Sequence, residues 1–259
     1  MRGVRRSVFV GFLLLCGFTA APAAPSTCPA SYLGGQMPDF SRVAQATPAR
    51  ELCYAEFAIL HSGATRTPLW AGEHLTTAQV RAAEAMSRTD RFHAERRLPR
   101  RERSELSDYR RSGFDRGHMA PSGNMPDAKS QGDSFSLANM VPQNHRVNTG
   151  VWSRIEETVR DVATLDGEAW VVTGPLFIGG DVGAIGANDV LVPTHVWKAV
   201  YDPKREGAAV YVADNADIPN CRIMTVPAFR AFSGIDPFPA LPAGTGRLAL
   251  TQPKSCRAE

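Results

Sequence analysis

One stretch, Phe114 to Arg160, restricts the fold of these 259 residues more than any other, because its periodicity changes repeatedly. Phe114 to Met119 reads as a short strand or turn that presents His118, and Ser122 to Asp133 is a loop full of Gly, Asn, Pro and Ser. Phe135-Ser136-Leu137-Ala138-Asn139-Met140-Val141 alternates like a strand and is broken by Pro142. From about Thr149 to Ala163, Val151, Ile155, Val159 and Val162 recur at the core spacing of a helix, while Glu156 and Arg160 share another face one turn apart. Extended chain followed by helix can therefore gather His118, Asn148, Glu156 and Arg160 around one hydrated cation and one phosphate. Gly117 lets the backbone beside His118 approach a ligand closely.

The rest of the chain supplies a platform for that stretch. Residues 24–50, rich in Pro, Ser, Gly and Ala, read as an irregular arm. Leu52 to Ser62 and Thr65 to Ala71 read as two strands of a hairpin. Thr76-Thr77-Ala78-Gln79 has the capping-box spacing for a short helix through Met86, and Ser87 to Tyr109 reads as a polar surface excursion. Trp170 to Pro175, Val190 to Tyr201 and Ala208 to Ala213 are apolar strand-like runs, and Thr225 to Phe232 reads as a helix closed by Gly234. Without repeats or low-complexity tracts, residues 51–259 are expected to form a single α+β domain built on antiparallel sheet.

The first 23 residues are a leader rather than part of that domain. Arg2, Arg5 and Arg6 precede an apolar run from Val8 to Thr19 and the small residues Ala21-Pro22-Ala23, the pattern of a cleaved secretory signal. The run is too short to span a membrane, and no small residue stands just before Cys16 to support lipidation, so no membrane anchor is expected. A periplasmic or secreted address follows. Removing the leader lowers the formal net charge from +3 to zero, so affinity for a polyanion must come from local clustering. Arg88 to Arg116 is such a cluster, with its middle read as solvated surface. Cys28, Cys53, Cys221 and Cys256 remain, and an even number in an exported chain implies two disulfides among three connectivities. Proximity in sequence favours Cys28 with Cys53 and Cys221 with Cys256.

Asp115-Arg116-Gly117-His118, Asn139 within Ser136 to Gln143, and Asn148-x-x-x-Trp152-x-x-x-Glu156-x-x-x-Arg160 together resemble the DNA/RNA non-specific endonuclease family, a branch of the ββα-metal or His-metal finger nucleases. The resemblance extends through Arg88 to Phe92 and Thr173-Gly174-Pro175. It implies a ββα-metal finger, an asparagine (here Asn148) as the one direct protein ligand of a mostly hydrated cation, and products ending in 5′-phosphate. It also implies that Asn139 helps set the active geometry. Asn124, where aspartate is more usual, and His145, where no catalytic histidine is expected, depart from the family pattern.

The chemistry of the residues agrees. A histidine with an ordinary pKa near 6.5 can take a proton from water at neutral pH. The amide oxygen of Asn148 suits Mg2+, with Mn2+ as a substitute, and Glu156 can hold metal-bound water. Arg88 and Arg160 can neutralise phosphate, Arg116 can assist, and Arg91 is a stand-in for Arg88. Plainer roles compete: Asn148 as a helix N-cap, Glu156 as an ion-pair partner of Arg160. The expected function is an exported, Mg2+-dependent endonuclease that cuts DNA and RNA through phosphate contacts with little sequence preference, with His118 as general base. The alternative is a catalytically inactive relative that binds nucleic acid through the arginine cluster. A serine hydrolase is disfavoured, because no Gly-x-Ser-x-Gly elbow surrounds Ser122 or Ser136. A homodimer and an inhibitor protein are compatible with the sequence and specified by nothing in it.

Overall fold

Three strands lead the chain into its first helix: β1 (Ala49–Cys53), β2 (Phe57–Ser62) and β3 (Thr67–Thr76), which runs directly into α1 (Thr77–Glu84). These come from a computed structural model that describes residues 25–40, 48–179, 182–251, 253 and 256–258; the leader, Cys16 included, lies outside the described residues. Next come α2 (Leu106–Tyr109), β4 (Asp115–His118), α3 (Ala128–Ser134), β5 (Met140–Gln143) and the long helix α4 (Ser153–Asp166). The chain continues through β6 (Glu168–Leu176), β7 (Ala184–Ile185), β8 (Val190–Leu191), β9 (His195–Asp202), β10 (Gly207–Asp214) and β11 (Cys221–Met224). It ends in α5 (Val226–Ser233), β12 (Gly246–Arg247) and β13 (Cys256–Ala258).

The principal sheet runs β1-β2-β3-β6-β9-β10-β11-β13, antiparallel from β1 to β11, with β12 and β13 added in parallel to β10 and β11. Both faces are covered, so its strands read as continuous apolar runs rather than half-polar alternations. Residues still alternate between the faces. Ala71, Val171, Val196, Val200 and Ala209 pack with α4 and the β4–β5 region, whereas Trp70, Val172, Trp197, Ala199 and Val210 pack with Tyr32, Phe229 and Phe238 on the opposite side. The face toward α4 matters most, because it also carries Glu73, Thr173 and Lys198.

Several expected boundaries shift. The expected first strand breaks at Tyr54, with β1 already beginning at Ala49 inside the predicted arm. The arm is tied down: Cys28 is disulfide-bonded to Cys53, as predicted, and Tyr32 is 1% exposed beneath Gly72, where a Cβ would meet its ring. Cys221 is also disulfide-bonded, and the register sets Cys256 across from it, although the Cys256 side chain lies outside those described. The loop expected from Ser122 to Asp133 contains α3, because Asp127 caps it by accepting from Lys129 N at 2.8 Å and Ser130 N at 2.9 Å. Pro142 sits within a strand rather than ending one. It is tolerated because β5 pairs with β4 alone, which leaves the other side of Pro142 without a ladder to feed. Among the described residues no helix is long and apolar enough to cross a membrane.

Candidate active site

β4, β5 and α4 form a ββα finger laid over the α4-facing side of the sheet. β4 pairs antiparallel with β5, setting Gly117 opposite Val141 and His118 opposite Met140. Gly117 is required by close approach, since a Cβ there would lie 2.6 Å from the Gln143 Cβ. His118 ends β4 with 7% of its surface exposed, between the rings of Phe135 (5.1 Å) and Phe92 (5.8 Å). Its Nε2 has no hydrogen-bond partner. Burial, reinforced by the positive charges of Arg88 and Arg116, pushes its pKa down to about 3, so the imidazole is neutral at physiological pH.

Asn148 is not a helix N-cap. α4 starts only at Ser153, after a π-helical turn over Val147–Trp152 with irregular backbone at Gly150, and Asn148 lies within that turn. Its Nδ2 donates to Asp115 Oδ2 at 2.9 Å, which leaves the amide oxygen available. The same carboxylate oxygen holds His145 Nδ1 at 2.9 Å. Asp115 is thus a brace for Asn148, and His145, expected to be an uninvolved loop residue, is the second group it anchors.

Glu156 and Arg160 share one face of α4 but form no ion pair with each other. Burial raises the Glu156 pKa, while Lys198, Arg160 and Arg88 pull it down. Arg160 Nη1 donates to Asn124 Oδ1 at 3.4 Å, and Asn124 Nδ2 donates to Glu73 Oε1 at 3.0 Å. The departure at Asn124 acquires a reason here, because an aspartate would set a second negative charge against fully buried Glu73, whose pKa burial already raises to about 7. Lys198, 1% exposed, donates to Thr173 Oγ1 at 2.5 Å and to Met119 O at 3.4 Å, which fastens the backbone just after His118 to the sheet. Sequence reading missed Glu73 and Lys198. The available signal was a charge at the inward-facing position of an otherwise apolar alternation, Val196-Trp197-Lys198-Ala199-Val200.

His118, Asn148, Glu156, Arg160, Arg88 and Arg116 line one cavity of about 510 Å³. Arg88 is held by Asp90 at 2.7 Å and lies over the Phe135 ring, while Arg116 lies over Phe92. Asn139 is the exception among the predicted site residues. It is fully buried away from the cavity, donating to Ala120 O (2.8 Å) and Ser134 O (2.9 Å) and accepting from Ala120 N (2.9 Å). It stabilises the turn that follows His118 and has no amide group left for a substrate. The donor set suits a hydrated hard cation. Among the described residues no three His, Cys, Asp or Glu side chains converge as a cage, whereas one amide with an unbonded oxygen and one carboxylate line the cavity beside His118.

Residues 37–244 match the family model for DNA/RNA non-specific endonuclease. The chain is 30% identical over 231 residues to a Xenopus laevis protein named nuclease EXOG, mitochondrial, covering 82% of this chain and 64% of that one. The Danio rerio protein of the same name is 34% identical over 180 residues, covering 64% of this chain and 52% of the relative. Caenorhabditis elegans endonuclease G, mitochondrial, is 34% identical over 180 residues, covering 64% and 58%. The chain thus spans between about half and two thirds of the length of these relatives. A crystal structure of an EndoG/EndoGI complex, described as showing the mechanism of EndoG inhibition, superposes with a TM-score of 0.62 at 27% identity over 71% of this chain and 84% of that one. The mitochondrial names of these relatives overturn the periplasmic or secreted address expected from the leader. Physically, an arginine-bearing, acid-free leader belongs to transit segments as well as export signals, so its composition does not choose between them.

Proposed function

The chain belongs to the DNA/RNA non-specific endonuclease family, and we propose that it is a divalent-metal-dependent endonuclease that hydrolyses DNA and RNA through phosphate contacts with little sequence preference. One observation carries this reading: an imidazole, a braced asparagine, a carboxylate and three arginines line a single cavity. His118 takes a proton from the attacking water, and its lowered pKa keeps the imidazole neutral, with a lone pair free, at physiological pH. Asn148 and Glu156 are the residues that would hold the cation, preferably Mg2+ with Mn2+ as substitute, directly and through water. When bound, that cation supplies Lewis-acid charge for the leaving oxygen. Arg88 and Arg160 neutralise charge on the phosphate as it becomes pentacoordinate, with Arg116 beside them, and Arg88 exchanges Asp90 for phosphate as it does so. Departure of the 3′ oxygen leaves a 5′-phosphate end.

A supercoiled-plasmid assay tests the reading. His118→Ala is expected to lose cleavage by at least ~100-fold while retaining its fold by circular dichroism. EDTA is expected to stop the wild-type reaction and Mg2+ to restore it. Band retardation without nicking by wild-type protein in Mg2+ would instead identify a non-catalytic nucleic-acid binder.

A further inference from the structure

Arg88, Arg116 and Asn148 line a second cavity, of about 580 Å³, as well as the first. Its far wall is the turn between α2 and β4, and its charge differs from that of the arginine cluster around it. Elsewhere in the cluster Arg97 is neutralised by Glu95 at 2.9 Å, Arg103 by Glu105 at 2.9 Å and Arg101 by Glu102 at 3.3 Å. Arg110 and Arg111 line the cavity, are exposed, and form no ion pair or side-chain hydrogen bond among the described residues. Arg111 has φ 60°, a left-handed conformation that non-glycine residues rarely adopt. The two carboxylates on the cavity wall are already engaged, Asp90 with Arg88 and Asp115 with Asn148 and His145. Half-buried Phe92 and Phe114 supply aromatic surface, and the Arg116 guanidinium lies 4.1 Å from the Phe92 ring centre. Free cations beside aromatic surface, sharing two arginines with the catalytic pocket, are the components of a strand-tracking site.

We propose that this cavity is a subsite for the nucleotide flanking the one whose phosphate enters the catalytic pocket, with Arg110 and Arg111 on its backbone phosphate and its base against Phe114. The proposal rests on the nuclease reading above. A volume of this size accommodates one nucleotide, and sharing Arg88 and Arg116 with the catalytic pocket keeps successive phosphates on one continuous positive path.

The test pairs Arg110→Ser with Arg111→Gly, glycine being the residue that accepts the left-handed backbone at 111. In the His118→Ala background, anisotropy of a fluorescent single-stranded oligonucleotide is expected to show about tenfold weaker binding, with the slope of log K against log salt shallower by roughly 0.7 for the one phosphate no longer neutralised. With His118 present, the pair is expected to raise KM for the oligonucleotide about tenfold and leave kcat unchanged. Hydrolysis of bis(p-nitrophenyl) phosphate, which has no flanking nucleotide, is expected to stay at the wild-type rate. Arg96→Ser, an exposed arginine without an ion pair and outside the cavity, is the control for diffuse charge. An unaltered salt slope and KM, or changes no larger than those of Arg96→Ser, overturn the subsite. Wild-type protein that leaves both substrates intact in Mg2+ overturns the nuclease reading instead, while the binding arm still decides the subsite.

Discussion

At the scale of single residues, orientation separates this site from a chance gathering of polar side chains. Asp115 bonds the Asn148 amide nitrogen and thereby fixes the oxygen toward the cavity. If Asn148 holds the cation as proposed, Asp115→Ala is expected to weaken the apparent affinity for Mg2+ by about 10–100-fold, with activity recovering at high Mg2+ in a titration of kcat/KM. Asp115, Asn148 and Glu156 were all legible as residue types, but the brace was not, because it joins positions separated by a loop. His61 carries a second prediction, about stability. Fully buried, with Nε2 2.8 Å from Glu102 O, its pKa is pushed down to about 4 by burial. An unfolded histidine titrates near 6.5, so the unfolded chain binds more protons between pH 4 and 6.5. Stability is therefore complete above about pH 6.5 and is lost as pH falls toward 4, by up to about 3 kcal/mol from His61. His61→Gln is expected to flatten the urea midpoint across that window; a wild-type slope would show that His61 titrates normally.

At the scale of elements, the ββα finger depends on how closely β4 and β5 approach. The missing side chain at Gly117 permits that approach, and Gly117→Ala is expected to cost about 1–3 kcal/mol and to lower turnover by displacing His118, measured by thermal melting alongside the plasmid assay. Local signals were readable here. The capping box is formed, Thr76 accepting from Gln79 N and Gln79 Oε1 accepting from Thr76 N at 2.8 Å, and Gly234 closes α5 at φ 76°. Nonlocal ones were not. Nothing adjacent in sequence announces that Val147–Trp152 winds as a π turn, and Pro142 signals a break unless one knows that β5 has a single neighbour. Asn139, expected to help set the active geometry, shows the same limit: the sequence named the residue but not the three backbone groups by which it holds the turn after His118.

At the scale of the whole molecule, the finger is joined to the sheet by charge as well as by apolar packing. Lys198 spans from the sheet to the Met119 carbonyl, with Glu73 supplying the opposite charge nearby. Lys198→Met is expected to destabilise by about 1–3 kcal/mol, because it strands the buried Thr173 and Met119 acceptors and removes the cation that favours ionised Glu73, and adding Glu73→Gln is expected to recover part of that loss in urea unfolding. Strictly additive effects of the two substitutions would show that the pair is not coupled. The domain class and antiparallel sheet were legible from the apolar runs, since each run is long enough to cross the sheet once.

The arm before the sheet has a consequence that is colloidal rather than catalytic. β1 is a terminal strand, and such strands are templates on which copies of a chain add to one another. Ser26 and Thr27 bond Glu51 on that strand, and the Cys28–Cys53 bridge holds them there. The bridge therefore keeps the arm beside this open edge, and the cost of losing it would grow with concentration, where open β templates meet most often.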